Sequence, residues 1–448
     1  GRASEPTATT VDPVGMAQAV AAGISADTLL AEVERLASDA FEGRAPGSEG
    51  ETRTIEYLRE QFSTLGLAPG NPDGTWVQNV PLVGITPADG DTMTITGGGQ
   101  SREYQPGVDY VAYTKRVVDE VEVDAEFVFV GYGAVAPEYE GNDFKDVDVR
   151  GKVIVVLVND ADYEQPELNT FNGRAMTYYG RWTYKYDEAA RRGAAGVLVI
   201  HETAPASYGW TTVKNSWTGP QFDIMRANAA AERVPLEGWI QRDVAVDLFE
   251  RAGLDFEALK VSARSRDFRP VSLEGQTLNA GFSVATETIT TRNIIARLPG
   301  STHPDETILY TGHWDHIGVG DPDADGDRIF NGAVDNASGI AGLIEIAGMY
   351  GAGPRPERSI VIIAFTAEES GLLGSEFYAA NPLYPLETTV AGFNLDCSHL
   401  EWQNVSGVEF IREFGEHIHC AHIKGVQVIR SYCRGGCLGG HRPMGHRH

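Results

Sequence analysis

The chain is 448 residues long, 42% apolar and 22% charged, with a formal net charge of -27 from 63 acidic against 36 basic residues. That length exceeds one ordinary hydrophobic core and predicts two or three domains, and the composition is that of a soluble globular enzyme. The acidic balance argues against nucleic acid or an anionic membrane surface as partner, and no apolar run has the length a bilayer needs, so no membrane span is expected.

The first stretch, 1–23, is rich in small residues with Thr, Ala and Pro. It reads as the new start left by removal of a signal peptide, although a fragment start has the same look. The spacing of Leu29, Leu30, Val33 and Leu36 behind Ser25 predicts a capped helix, and Ile55, Leu58, Phe62 and Leu65 predict a second one. Between them the segment 42–50, Glu-Gly-Arg-Ala-Pro-Gly-Ser-Glu-Gly, reads as a loop.

From about Val121 to Val271 the texture changes. Phe127–Val130 and Val153–Val158 read as buried strands, a helix through Glu188–Arg191 comes next, and Val197–Ile200 is a third strand. Strand, helix and strand at this spacing predict a small α/β unit inserted into a larger domain. Tyr178, Tyr179, Trp182, Tyr184 and Tyr186 form an aromatic cluster that fits packing or a cleft lining.

The larger domain resumes near Thr290, with strands at 293–298, 307–312, 359–365 and 389–395 and helices at 338–350 and 370–380. Apolar strands alternating with helices predict an α/β fold: a mixed, mostly parallel sheet flanked by helices. Ligands collect beyond the C-terminal ends of such strands. Here those ends carry His313 and Asp315, then Glu368 and Glu369, then Asp396, while Asp335 stands just before a helix. Imidazole with carboxylates and no cysteine suits zinc or a similar divalent ion in a catalytic site. Singly each residue has an ordinary reading: Asp335 as a helix N-cap, Glu368-Glu369 as a solvated pair. Their recurrence in four successive segments is what singles them out. The acidic stretch 321–327 hints at a calcium loop but lacks the downstream bidentate Glu, and reads as a plain acidic loop.

These stretches resemble the secreted zinc aminopeptidases related to glutamate carboxypeptidase, the transferrin receptor and the glutaminyl cyclases. The pieces that carry the resemblance are Thr311-Gly312-His313-Trp314-Asp315, Asn331-Gly332-Ala333 with Asp335-Asn336-Ala337-Ser338-Gly339, Phe365-Thr366-Ala367-Glu368-Glu369-Ser370-Gly371, and Asn394-Leu395-Asp396. The 42–50 loop looks like the same family, and the 121–271 insert is similar to its protease-associated domain. The resemblance implies a division into 24–120 (first part of the peptidase domain), 121–271 (protease-associated insert), 272–396 (metal-binding core) and 397–448 (an atypical tail). It also implies two zinc ions: His313 and Asp396 on one, Glu369 on the other, and Asp335 bridging both across a cis Asp335–Asn336 peptide. Asp315 would orient His313, and Glu368 would be the general base that takes a proton from the attacking water. The activity implied is that of an aminopeptidase acting on peptide substrates, in a secreted or periplasmic protein. The alternatives are an inactive or truncated member acting as a binding protein, and a glutaminyl cyclase-like acyltransferase.

All four cysteines (Cys397, Cys420, Cys433, Cys437) and seven of the eleven histidines lie beyond Asp396. The family completes its second zinc site with a histidine downstream, and no matching loop is found here. A shifted reading frame or truncated gene produces such a tail. The rival reading uses His417, His419, His422 or His441 as the ligand, and Cys433-x-x-x-Cys437 has the spacing of a small metal knuckle.

Overall fold

The computed structural model describes residues 24–396 apart from 89–91, 172, 218–219, 321 and 323–325. The tail with its cysteines and candidate histidines, the N-terminal stretch and most of the acidic 321–327 loop lie outside the described residues. The described residues divide into two compact units, one formed by 24–80 and 290–396, the other by Pro81–Ile289. Among the described residues no helix is long and apolar enough to cross a membrane.

The first unit begins with helix α1 (Ala26–Leu36), which Ser25 caps by accepting the N–H of Thr28. Helix α2 (Glu49–Thr64) starts in the same way, with Ser48 accepting from Glu51. The sheet of this unit uses the C-terminal part, 290–298, of the long strand β1 (Val271–Leu298), then β2 (His303–His313), β3 (Arg358–Phe365) and β4 (Thr389–Asn394). Their order is β4-β2-β3-β1, with β4, β2 and β3 parallel and β1 antiparallel to β3. The short strand Ala68–Pro69 pairs antiparallel with β1. Helix α3 (Ser338–Ala352) connects β2 to β3, and α4 (Leu373–Ala380) leads from β3 toward β4.

Alternation along β3 explains why this sheet is covered on both faces. Ile360, Ile362 and Ala364 join Leu58 and Phe62 of α2 and Ile340, Leu343 and Ile344 of α3 in one core. Val361 and Ile363 point the other way, toward Ile295 and Tyr378 of α4. Because three parallel strands run in the same direction, their C-terminal ends share one edge, and that edge carries the site.

The second unit has a parallel centre, Glu120–Phe129, Val153–Leu157, Gly196–His201 and Leu236–Gln241, flanked by antiparallel strands. The segment Trp182–Arg191 is helical, as the pattern around Glu188 predicts. Part of the aromatic cluster is packing: Tyr184 and Tyr186 are buried, and Trp182 meets the rings of Tyr186, Trp217 and Trp239, whereas Tyr178 is exposed.

Candidate metal centre

The strand register sets the first two ligands side by side. Thr311 of β2 pairs with Asn394 of β4, and Leu395 continues the pairing by donating its N–H to the Thr311 carbonyl at 2.6 Å. His313 and Asp396, each two residues further along, therefore leave the sheet together. On the other side His313 pairs with Phe365 of β3, and Trp314 donates its N–H to the Phe365 carbonyl at 2.9 Å. Asn336 fixes the third segment. Its side chain donates to the Leu395 carbonyl at 3.0 Å and accepts the Gly339 N–H at 2.9 Å. The side chain that meets the first turn of α3 is thus that of Asn336, and Asp335 is left to point at the site, with a cis peptide bond between the two residues.

The outcome is a convergence of one imidazole nitrogen and two carboxylate oxygens, from His313, Asp335 and Asp396, all within 4.8 Å of one another. His313 and Asp396 are buried, and the Asp335 side chain is 35% exposed. His313 Nε2 lies 3.1 Å from Asp335 Oδ1, while Nδ1 faces Asp315, 3.2 Å from its carbonyl oxygen and 3.6 Å from Oδ1. A proton on Nδ1 shared with Asp315 leaves the Nε2 lone pair for a cation, the arrangement by which a carboxylate partner fixes a ligand's tautomer. Burial alone would lower the His313 pKa, but Asp315, Asp335 and Glu368 outweigh it and raise the imidazole to about 10. Three convergent acceptors without thiolate fit zinc or a similar divalent ion.

Asp315, fully buried, also organises the next loop. It accepts the N–H of Glu368 on Oδ1 at 3.0 Å and that of Glu369 on Oδ2 at 3.3 Å. The chain reaches that position through Ala367, whose φ of 51° lies in the left-handed region. The two carboxylates then diverge. Glu368 Oε2 stands 3.8 Å from His313 Nε2, and Glu369 Oε1 is 2.5 Å from Nδ1 of His316. The Thr366 N–H is held by Asn293 at 3.1 Å, and the Thr366 hydroxyl by Thr291, which donates to buried Glu51 at 2.8 Å. Burial raises the Glu51 pKa against hydrogen bonds from Gly47 and Thr291.

Every sequence-predicted site residue among the described residues lies on the same edge of this unit: His313, Asp335 and Asp396 in one cluster, Glu368 beside it, Asp315 behind His313; the candidate histidines His417, His419, His422 and His441 lie outside the described residues. Glu369 is on the same loop but engages His316. Three residues that sequence reasoning did not single out complete the site: His316, Asn336 and Arg44. The signal for Asn336 was its place inside a matched motif, and for His316 its place directly after one; Arg44 stands in the 42–50 loop, where nothing marks its partners.

Residues 293–410 match the model of Peptidase family M28, a span that continues past Asp396, where the motif resemblance stops. A probable zinc metalloprotease of Pyrenophora tritici-repentis is 41% identical over 103 residues, 23% of this chain and 23% of that protein. A glutamate carboxypeptidase 2 homolog of Caenorhabditis briggsae is 22% identical over 362 residues, 73% of this chain and 44% of that protein. The chain thus spans less than half the length of these relatives. Among solved structures, the aminopeptidase from Aneurinibacillus sp. strain AM-1 is similar with a TM-score of 0.46 and 20% identity, over 84% of this chain and 71% of that one.

Proposed function

We propose, from the Peptidase family M28 domain that the chain carries, that it is a zinc-dependent exopeptidase of the aminopeptidase type. In this reading His313, Asp335 and Asp396 hold one zinc, and Glu369 with Asp335 holds a second. The observation that carries it is the convergence of His313, Asp335 and Asp396 within 4.8 Å, with the Glu368 carboxylate 3.8 Å from His313 Nε2. Zinc bound there supplies Lewis acidity toward a scissile carbonyl and toward water. The chain's own residues do the rest. Asp315 holds the His313 ring and, through two main-chain N–H groups, the position of Glu368. Glu368, partly exposed beside the cluster, takes a proton from the attacking water and returns it to the leaving amine.

The amino direction rests on charge. Glu368, 20% exposed and outside the proposed ligand set, is the carboxylate whose charge the zinc ions do not directly neutralise, and it favours an α-ammonium group over a C-terminal carboxylate beside it. Arg44 is buried with its donors on main-chain carbonyls, so it offers no guanidinium to such a carboxylate.

The test is hydrolysis of an aminoacyl anilide and of its N-acetylated analogue, with metal content measured in parallel. Glu368→Gln should lose about 10²–10⁴ in kcat at unchanged zinc content. Equal turnover by the variant, or a preference for the acetylated substrate, refutes the reading.

A further inference from the structure

The turn between α1 and α2 holds a buried cation. Arg44, 1% exposed, donates Nε to the Trp314 carbonyl at 2.8 Å, Nη1 to the carbonyls of Leu36 (2.6 Å) and Asn331 (2.7 Å), and Nη2 to that of Gly332 at 2.8 Å. Trp314 lies between His313 and Asp315, and Gly332 opens the turn that leads to Asp335. Four carbonyls in different directions call for a planar group with five donors; an ammonium on a flexible stem cannot reach them together.

The surroundings are shaped to admit this side chain. Arg44 itself has a φ of 54°, unusual for a residue with a Cβ. A Cβ on Gly332, whose φ is +60°, would sit 2.6 Å from Arg44 Nη2. A Cβ on Gly43 would sit 2.5 Å from the carbonyl oxygens of Gly318 and Phe330. The Arg44 carbonyl in turn accepts the N–H of His316 at 3.3 Å. Strained backbone and excluded side chains at one point, with no solvent contact to gain, indicate a position set by what it holds.

We propose that Arg44 is a positioning residue of the metal centre: its guanidinium ties the His313–Asp315 segment to the Asn331–Gly332 turn, and so fixes the separation of the His313 and Asp335 ligand atoms. The inference rests on reading His313, Asp335 and Asp396 as metal ligands. It assigns a role to a residue 270 positions from its first partner, and that role is distinct from merely anchoring α1 through Leu36.

Cobalt(II) uptake by the full chain tests it, read as the visible absorption of the bound ion and as Kd by competition with a chelator. Arg44→Lys and Arg44→Met should weaken binding about 10- to 100-fold and change the absorption envelope, with Lys the milder of the two. Leu58→Ala, in the core of the same unit, controls for lost stability: it should lower the melting temperature and leave Kd within about threefold. Should neither Arg44 variant fold, Gly43→Ala, whose Cβ would press the turn carrying Arg44 against the Gly318 and Phe330 carbonyls and meets no ligand residue, should still weaken binding at least about tenfold. Arg44 variants that match Leu58→Ala in Kd and spectrum at equal loss of melting temperature overturn the proposal, as does unchanged binding by Gly43→Ala. A wild-type chain that takes up no cobalt overturns the ligand assignment and this inference with it.

Discussion

Replacing Asp315 by Asn keeps the side chain's size and removes its charge. The carboxylate is fully buried, takes the N–H groups of Glu368 and Glu369 on its two oxygens at 3.0 and 3.3 Å, and faces His313 Nδ1 at 3.6 Å. An amide has one acceptor oxygen for those two donors, so one N–H is left facing an NH2 group. A hydrogen bond to a charged acceptor is worth about 1.5–3 kcal/mol, and a buried donor left unmet costs about 1–3 kcal/mol. The two figures overlap, and we expect a loss of about 2–3 kcal/mol from the metal-free chain, which lowers the melting temperature of a unit this size by roughly 4–12 °C. His313 also loses the anionic partner of Nδ1, so zinc affinity should fall about 10- to 100-fold. Calorimetry of the metal-free chain reads the first effect, and chelator competition reads the second. A melting temperature within about 1 °C of wild type, together with a Kd within about twofold, would refute the dual role assigned to Asp315.

Glu237→Gln probes the second unit. Burial pushes this carboxyl up to about 7 despite Lys115, Tyr113 and Arg233, so the folded chain keeps a proton that the unfolded chain has released. Wild-type stability from this group is present below about pH 4.5 and lost as pH rises toward 7; Glu237→Gln should gain on wild type by up to about 3 kcal/mol between about pH 5 and pH 8. Denaturant melts at several pH values check the slope, and parallel curves for the two proteins would sink it. Gly339→Ala places a Cβ 2.3 Å from Asn336 Oδ1 and 2.4 Å from the Leu395 carbonyl. The first atom belongs to a side chain held by two hydrogen bonds and the second is backbone, so about 1–3 kcal/mol should be lost and cobalt binding weakened; a melting curve that overlays wild type would contradict the crowding.

Three of the proposed site residues are legible in the sequence because each follows an apolar run. His313, Glu368 and Asp396 come directly after strands whose Ile, Val and Leu residues mark them as buried, and the end of a buried strand is where a polar side chain has somewhere to go. Long β1 was not legible. Only its last residues, 293–298, carry a continuous apolar run; its middle offers just Leu278, Ala280 and Phe282 between Thr277, Asn279, Gly281 and Ser283, and 285–289 are exposed or half-exposed. The supporting residues were not legible either. Arg44, Glu51 and Asn336 are polar residues in turns or at helix starts, where a solvated reading is the default. Their burial depends on partners more than 200 residues away for Arg44 and Glu51, which no local pattern announces. The Asp335 N-cap reading fails for a related reason: the cap position is Ala337, and the side chain that meets the first turn is that of Asn336, whose amide can both donate to Leu395 and accept from Gly339.

In the proposed reading the adjacent pair Glu368-Glu369 divides one dipeptide between two tasks. Both main-chain N–H groups are held by Asp315, so the backbone is pinned and the side chains must differ by direction alone. Glu369 turns to His316 and is held there at 2.5 Å, a contact that restricts its rotation and keeps a negative charge in a fixed place, as a metal ligand requires. Glu368 turns to the His313 side and stands at 3.8 Å, too long for a hydrogen bond. In the proposed reading it is on that side that the carboxylate meets the attacking water and the leaving amine. Exchanging the two residues' surroundings would exchange their duties, because nothing in the side chains themselves distinguishes them. The distinction is built by Asp315 and His316, both supplied by the turn at the end of β2.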